Sequence, residues 1–182
     1  ELRFGQAESW GLEFLLKLVE GRLNGWISYT WSKSVRKFAD INEGREYISP
    51  YDKPHDISIV LNYEISPRFS LGANWIYQSG RPVTFPTGGV WYQGVKIPVY
   101  SDRNSYRLPD YHRMDISLTY RGKEKPEKKW HGEWNLSLYN AYGRKNTWVI
   151  NFEYGEDIEN ELYAEKTYLF GIVPAISYNF NF

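Results

Sequence analysis

The last fifteen residues, Tyr168 to Phe182, constrain the fold most tightly. Their even positions read Tyr168, Phe170, Ile172, Pro174, Ile176, Tyr178, Phe180 and Phe182, while the odd positions end on Ala175, Ser177, Asn179 and Asn181. Successive side chains on a strand point to opposite faces, so this segment has one apolar, aromatic face and one small, polar face. The inner face of a soluble sandwich favours branched aliphatics. A mostly aromatic face backed by asparagine and serine fits a membrane barrel strand, with lipid on one side and a wet lumen on the other. On this stretch alone, the final strand of a soluble β domain is the competing reading.

The same two-residue period runs through the chain. Trp10, Leu12, Phe14, Leu16 and Leu18 alternate past Glu13 and Lys17, and a glycine-bearing break at Glu20 to Gly25 separates them from the next strand. That strand sets Ile27, Tyr29 and Trp31 against Ser28, Thr30 and Ser32. Ile57 to Ile65 and Phe69 to Tyr77 repeat the pattern around the break Ser66-Pro67-Arg68. It returns in His112 to Tyr120 and again in Trp134, Leu136 and Leu138, and it resumes after Gly143-Arg144-Lys145-Asn146 with Trp148, Ile150, Phe152 and Tyr154. Helices are excluded by the period.

Composition agrees with strands that cross a membrane. Aromatics make up 18% of the chain, yet its mean hydropathy is −0.59, and no run approaches the about 18 apolar residues of a spanning helix. A barrel strand needs only about 9–11 residues, of which alternate ones face lipid. Lys+Arg and Asp+Glu both count 22, so no net charge points to nucleic acid. The absence of cysteine excludes disulfides and thiolate chemistry. The expected fold is therefore all-β: an antiparallel transmembrane barrel of about seven strands.

The breaks alternate short, long, short, long, short, long. The long ones cover about residues 35–54, 81–110 and 155–165. Outer-membrane barrels have short periplasmic turns and long outer loops, and with Phe182 on the periplasmic side all three long connections fall outside. Seven strands do not close a bacterial barrel, since single-chain barrels are even-stranded. Either the count is short by one or the chain is the C-terminal part of a larger barrel, a reading favoured by its opening in strand-like sequence at Glu1-Leu2-Arg3-Phe4.

Six segments carry a resemblance: Gly21-Arg22-Leu23-Asn24-Gly25-Trp26-Ile27-Ser28-Tyr29-Thr30, Tyr51-Asp52-Lys53-Pro54-His55-Asp56, Gln78-Ser79-Gly80-Arg81-Pro82-Val83-Thr84, Leu108 to Asp115 (LPDYHRMD), Tyr139 to Asn146 (YNAYGRKN) and the aromatic terminus. In this order, each at a strand or loop end, they resemble the C-terminal barrel portion of TonB-dependent outer-membrane receptors, especially the Bacteroidetes type with an amino-terminal carboxypeptidase-regulatory-like domain. The resemblance implies a 22-stranded barrel, plugged by an amino-terminal domain, that imports scarce, bulky solutes with energy passed through TonB. The plug, the TonB box and most of the strands are not in this sequence. No cofactor or metal is expected. A passive porin or an adhesin-like structural barrel is the alternative, and an outer-membrane esterase a distant third.

Three groups of residues follow. Trp91, Tyr92, Tyr100, Arg103, Tyr106 and Arg107 are candidates for a ligand-contacting rim on the second long loop, with aromatics stacking on rings and arginines pairing with oxyanions; a loop folded on its own tyrosines is the plainer reading. Asn62, Glu64, Asn74, Gln78, Asp115, Ser117, Asn135, Ser137 and Asn179 form a polar wall expected to face the lumen and plug. Tyr178, Phe180 and Phe182 resemble the terminal signal read by the outer-membrane assembly machinery, and equally an interfacial girdle. The acidic third loop, with Glu153, Glu156, Asp157, Glu159, Glu161 and Glu165, lacks ordered calcium-ligand spacing and reads as a solvated loop. His112 and Ser117 are an odd number apart, so a Ser-His-Asp site with Asp110 is poorly supported on a regular strand.

Overall fold

A computed structural model describes residues 2–123, 131–154 and 162–181. The described chain is all-β and pairs antiparallel throughout. Seven strands form one meander: β1 (Gly5–Leu18), β2 (Leu23–Phe38), β4 (His55–Ser66), β5 (Phe69–Gln78), β10 (Tyr111–Arg121), β11 (His131–Tyr139) and β14 (Val173–Asn181). Strand β3 (Tyr47–Ile48) pairs with the far end of β2. The sheet is open: β1 and β14 are its edges, and no closed barrel forms among the described residues.

Register turns the alternation into two continuous faces. Leu16, Ile27, Ile59, Trp75 and Met114 stand side by side across five strands. On the opposite face Asn24, Asn62, Gly72, Ser117, Ser137 and Ala175 form a row across six. A slip of one residue would exchange the faces, which is why the pattern pins the register.

Aromatic rings flank the apolar face at both ends. At one end Phe14, Tyr29, Tyr77 and His112 share a row with Ile57. At the other stand Phe69, Tyr120, Trp134 and Tyr178, with ring centroids 4.9 Å apart for Phe69–Tyr120 and 4.7 Å for Trp134–Tyr178. Tyr77 to Phe69, and His112 to Tyr120, are each eight residues apart, about 27 Å at about 3.4 Å per residue. The side chains between are mostly aliphatic and no described residue covers them: Leu16 and Ile176 are each 69% exposed and Leu136 52%.

The connections sort by length. Residues 19–22, 67–68 and 122–130 link strands at one end of the sheet; 39–54, 79–110 and 140–172 link them at the other. The long ones are not plain loops. The second carries two ribbons, β6 (Pro82–Val83) with β9 (Tyr106–Arg107) and β7 (Pro86–Tyr92) with β8 (Val95–Tyr100). The third carries a hairpin of β12 (Thr147–Tyr154) and β13 (Leu162–Tyr168). The buried hydrophobic side chains Val35, Tyr47 and Leu108 all lie at this long-connection end.

Three strand expectations need correction. The Trp148 to Tyr154 phase does not continue the sixth strand; it forms β12 in a separate ribbon, because Asn140 (φ 53°) and Gly143 (φ 66°) turn the chain away after β11. The terminal strand does not begin at Tyr168, which ends β13. The break falls at residues 169–172, where the Asn140 side-chain amide donates to the Phe170 and Gly171 carbonyls at 3.3 and 3.4 Å, and β14 starts at Val173. The first two strands are longer than foreseen, 14 and 16 residues, and β2 replaces the start of the first long loop. Phe182, the tip of the third loop (Glu156, Asp157, Glu159 and Glu161 among it) and most of the charged break after Gly122 lie outside the described residues.

Candidate functional site

Where a strand runs into a long connection, its backbone donors and acceptors leave the ladder and need other partners. Short polar side chains supply them here. Asp52, 2% exposed, accepts the Ser34 N–H at 2.6 Å and forms an ion pair with Arg107. Arg107 also donates to the Gly80 carbonyl at 3.0 Å. Ser79 bonds both backbone groups of His55, its N–H reaching the carbonyl and its Oγ accepting the amide. Buried Asn104 donates to the Ile48 carbonyl at 2.7 Å. A Cβ at Gly80 would collide with the Leu108 carbonyl oxygen, so glycine is required where these segments cross.

A second cluster fastens the third connection. Asp110 accepts the Tyr77 hydroxyl at 2.6 Å and the Gly80 N–H at 2.9 Å, while its carbonyl accepts from Arg144 at 2.9 Å. The Tyr77 hydrogen bond first, then that from Gly80, holds the Asp110 carboxyl below its ordinary pKa, with the nearby Arg144 charge adding to both. Asn140, 1% exposed, is held by the protein itself: its N–H reaches Asp115 Oδ1 at 2.9 Å and its side-chain amide donates to the Arg144, Phe170 and Gly171 carbonyls. Asn146 exchanges two hydrogen bonds with the His112 backbone. Four of the quoted segments therefore converge on one belt that ties the long connections to the sheet.

Beneath the belt lies a cleft of about 520 Å³, within the about 300–1,000 Å³ typical of small-molecule sites. Its floor is the end of the polar face, with Gln78, Tyr111 and Tyr139. All three long connections complete it, contributing Lys53 from the first, Arg81 and Leu108 from the second, and Trp148 and Phe170 from the third. Tyr139 is held in place from two sides: Arg113 sits 4.1 Å from its ring centroid and donates to its hydroxyl at 2.8 Å, and Phe170 meets it edge-on at 6.2 Å. Lys53 and Arg81 supply two positive charges, and no described lining residue carries a carboxylate. The Lys53 ammonium donates to Gln78 Oε1 at 3.0 Å; among the described residues the Arg81 guanidinium has no partner.

The rim residues anticipated on the second connection are scattered. Trp91, Tyr92 and Tyr100 are about 60% exposed on the β7–β8 ribbon, away from the cleft. Arg103 is tied through its backbone to Asn42, and Tyr106 stacks on Phe85 at 5.3 Å. Arg107 is taken up by Asp52. The nine polar-wall residues do share one face: Asn62, Ser117 and Ser137 stand in one row, Asn74 and Asp115 in a second, Glu64 and Asn135 in a third. Gln78 and Asn179 extend it at opposite ends, bonded to Asp56 and Glu133. His112 faces the apolar side, bonded to Tyr142 at 2.7 Å, while Ser117 lies on the polar face, so these two do not meet. Glu153 accepts from Tyr163 at 3.0 Å, and among the described residues no three acidic or histidine side chains gather around one point.

The cleft leaves little trace in the sequence because its walls come from strand ends and connections far apart in the chain. The only signal was the clustering of short polar residues beside glycine and proline at each long break. No family model, curated protein or solved structure matches the chain.

Proposed function

We propose that the chain forms C-terminal strands of a TonB-dependent outer-membrane receptor that takes up a scarce nutrient such as a siderophore, cobalamin, an oligosaccharide or a peptide. One observation carries this reading: the uncovered apolar face, aliphatic in the middle and ringed by aromatics about 27 Å apart along the strands. Contiguous exposed apolar surface of this extent needs a covering partner. A face of this height, bordered by aromatic rows, suits the hydrocarbon layer of an outer membrane, about 25 Å tall in barrels of this kind. The sorting of short and long connections to opposite ends supports the same orientation.

In this reading the polar face borders the lumen and contacts a plug domain through hydrogen bonds and water. The unpaired edges of β1 and β14 accept the remaining strands of a 22-stranded wall. TonB acts through the plug, and the assembly machinery reads the aromatic end of β14. The protein then resides in the outer membrane of a Gram-negative bacterium.

A passive porin would share the two-faced wall. The full-length protein, produced in a Gram-negative host with and without TonB, separates the two. Outer-membrane fractionation with uptake that is lost without TonB supports the receptor; uptake unaffected by TonB supports the porin; recovery as a soluble protein overturns both.

A further inference from the structure

We infer that the cleft beneath the long connections binds a ring-bearing organic anion, held by Arg81 and Lys53 against the faces of Tyr111, Tyr139 and Trp148. As a statement of transported substrate this rests on the receptor reading; as a statement of binding it does not.

Three observations combine. The lining is electrostatically one-sided. Lys53 and Arg81 enter it, and the carboxylates nearest to it are engaged: Asp56 by Gln78, Asp115 by Arg113, and Asp110 by Tyr77 and Gly80. Arg81 brings a planar fork of donors with no partner among the described residues, the geometry that matches a carboxylate or similar oxyanion in two parallel hydrogen bonds. Lys53 brings a point charge whose acceptor is a neutral amide oxygen, which an anion can replace at a gain.

The walls are also aromatic and fixed. Tyr139 is pinned by Arg113 and Phe170, and Tyr111 accepts a hydrogen bond from Arg113 at 3.1 Å, so one guanidinium orders both tyrosines. Two positioned rings beside an exposed Trp148 offer stacking surface to a planar or sugar ring without ordering cost at the moment of binding. Finally, the site joins all three long connections, and the Asn140 amide that breaks the chain before β14 also sets Phe170 at its edge. A cleft whose described lining has two cations, no carboxylate and ordered rings selects against cations by charge and against linear solutes by shape.

The test uses the purified full-length protein in detergent micelles and two isosteric pairs, 2-naphthoate with 2-naphthamide and glucuronate with glucose. The first pair reads aromatic acids and the second sugar acids. The charged member of at least one pair is expected to bind about tenfold more tightly than its neutral twin, the effect of one charge-assisted hydrogen bond. Arg81→Ala and Lys53→Met should each bring that ratio toward one, while Lys37→Ala, a matched charge change outside the cleft, should leave it unchanged. Trp148→Ala should weaken both twins in equal proportion. Equal binding of the twins in both pairs, or a Lys37→Ala loss as large as that of Arg81→Ala, overturns the proposal. Selective binding with uptake independent of TonB supports it and overturns only the receptor reading.

Discussion

The Arg107 guanidinium pairs with the Asp52 carboxylate and so ties the second long connection to the first, across 55 residues of sequence. Asp52 is nearly inaccessible, whereas the arginine keeps 30% of its side chain exposed. The pair thus secures the loops that wall the cleft, and its arginine is not available to a solute.

Removing the cation leaves a buried carboxylate whose remaining hydrogen bond, among the described residues, is from the Ser34 N–H. Breaking a fully buried pair costs about 3–5 kcal/mol; with Arg107 partly in water, Arg107→Ala is expected to cost about 2–3 kcal/mol. Proteolysis within residues 79–110 should accelerate while the strands stay protected. Unaltered cleavage would mean that the ion pair does not hold the connection.

Asp110 links that same connection to acid. Its carboxyl is held low by Tyr77, Gly80 and Arg144, so the folded state binds a proton less readily than the unfolded chain. The stabilisation is complete above the ordinary carboxylate value of about 3.9 and is lost as pH falls through the lowered folded value. Protease sensitivity of residues 79–110 should rise at the acid end of a titration, and Asp110→Asn should flatten that rise. An identical acid limb in the variant would remove Asp110 as its source.

Neighbouring residues on β11 give a test of orientation. Leu136 lies in the aliphatic band and Ser137 on the polar face. In a lipid-facing wall, Leu136→Arg should cost about 2–4 kcal/mol and reduce the assembled protein, while Ser137→Arg should be tolerated. Membrane-integrated yield is the measurement. Equal tolerance at both positions would contradict a lipid contact for the apolar face.

Tyr178 and Phe180 stack at 6.3 Å on β14, and Tyr178 packs on Trp134. If these aromatics are read during assembly, deleting Phe182 or making Phe180→Ala should lower assembled protein more than synthesis. Normal assembly would leave them only an interfacial role.

Alternation along the chain is enough to place the strands and their two faces. Alternation is a local property: each residue's face follows from its parity, so Leu118 and Leu136 fall on one side of their strands and Thr119 and Asn135 on the other whichever strands meet. The order of long and short breaks was equally local. Where the chain leaves the sheet, and what the long connections do, depends on contacts between segments distant in sequence. Trp148, Ile150, Phe152 and Tyr154 keep strand alternation, yet they lie in a separate ribbon, because Asn140 and Gly143, both at positive φ, turn the chain away after β11. The terminal stretch breaks at residues 169–172, where the buried Asn140 amide holds the Phe170 and Gly171 carbonyls from thirty residues away. Arg107 pairs with the buried Asp52, a partner 55 residues away in the chain, whereas the Arg81 guanidinium has no partner among the described residues. Periodicity reports which way a side chain points; hydrogen-bond partners across distant segments depend on the fold that brings them together.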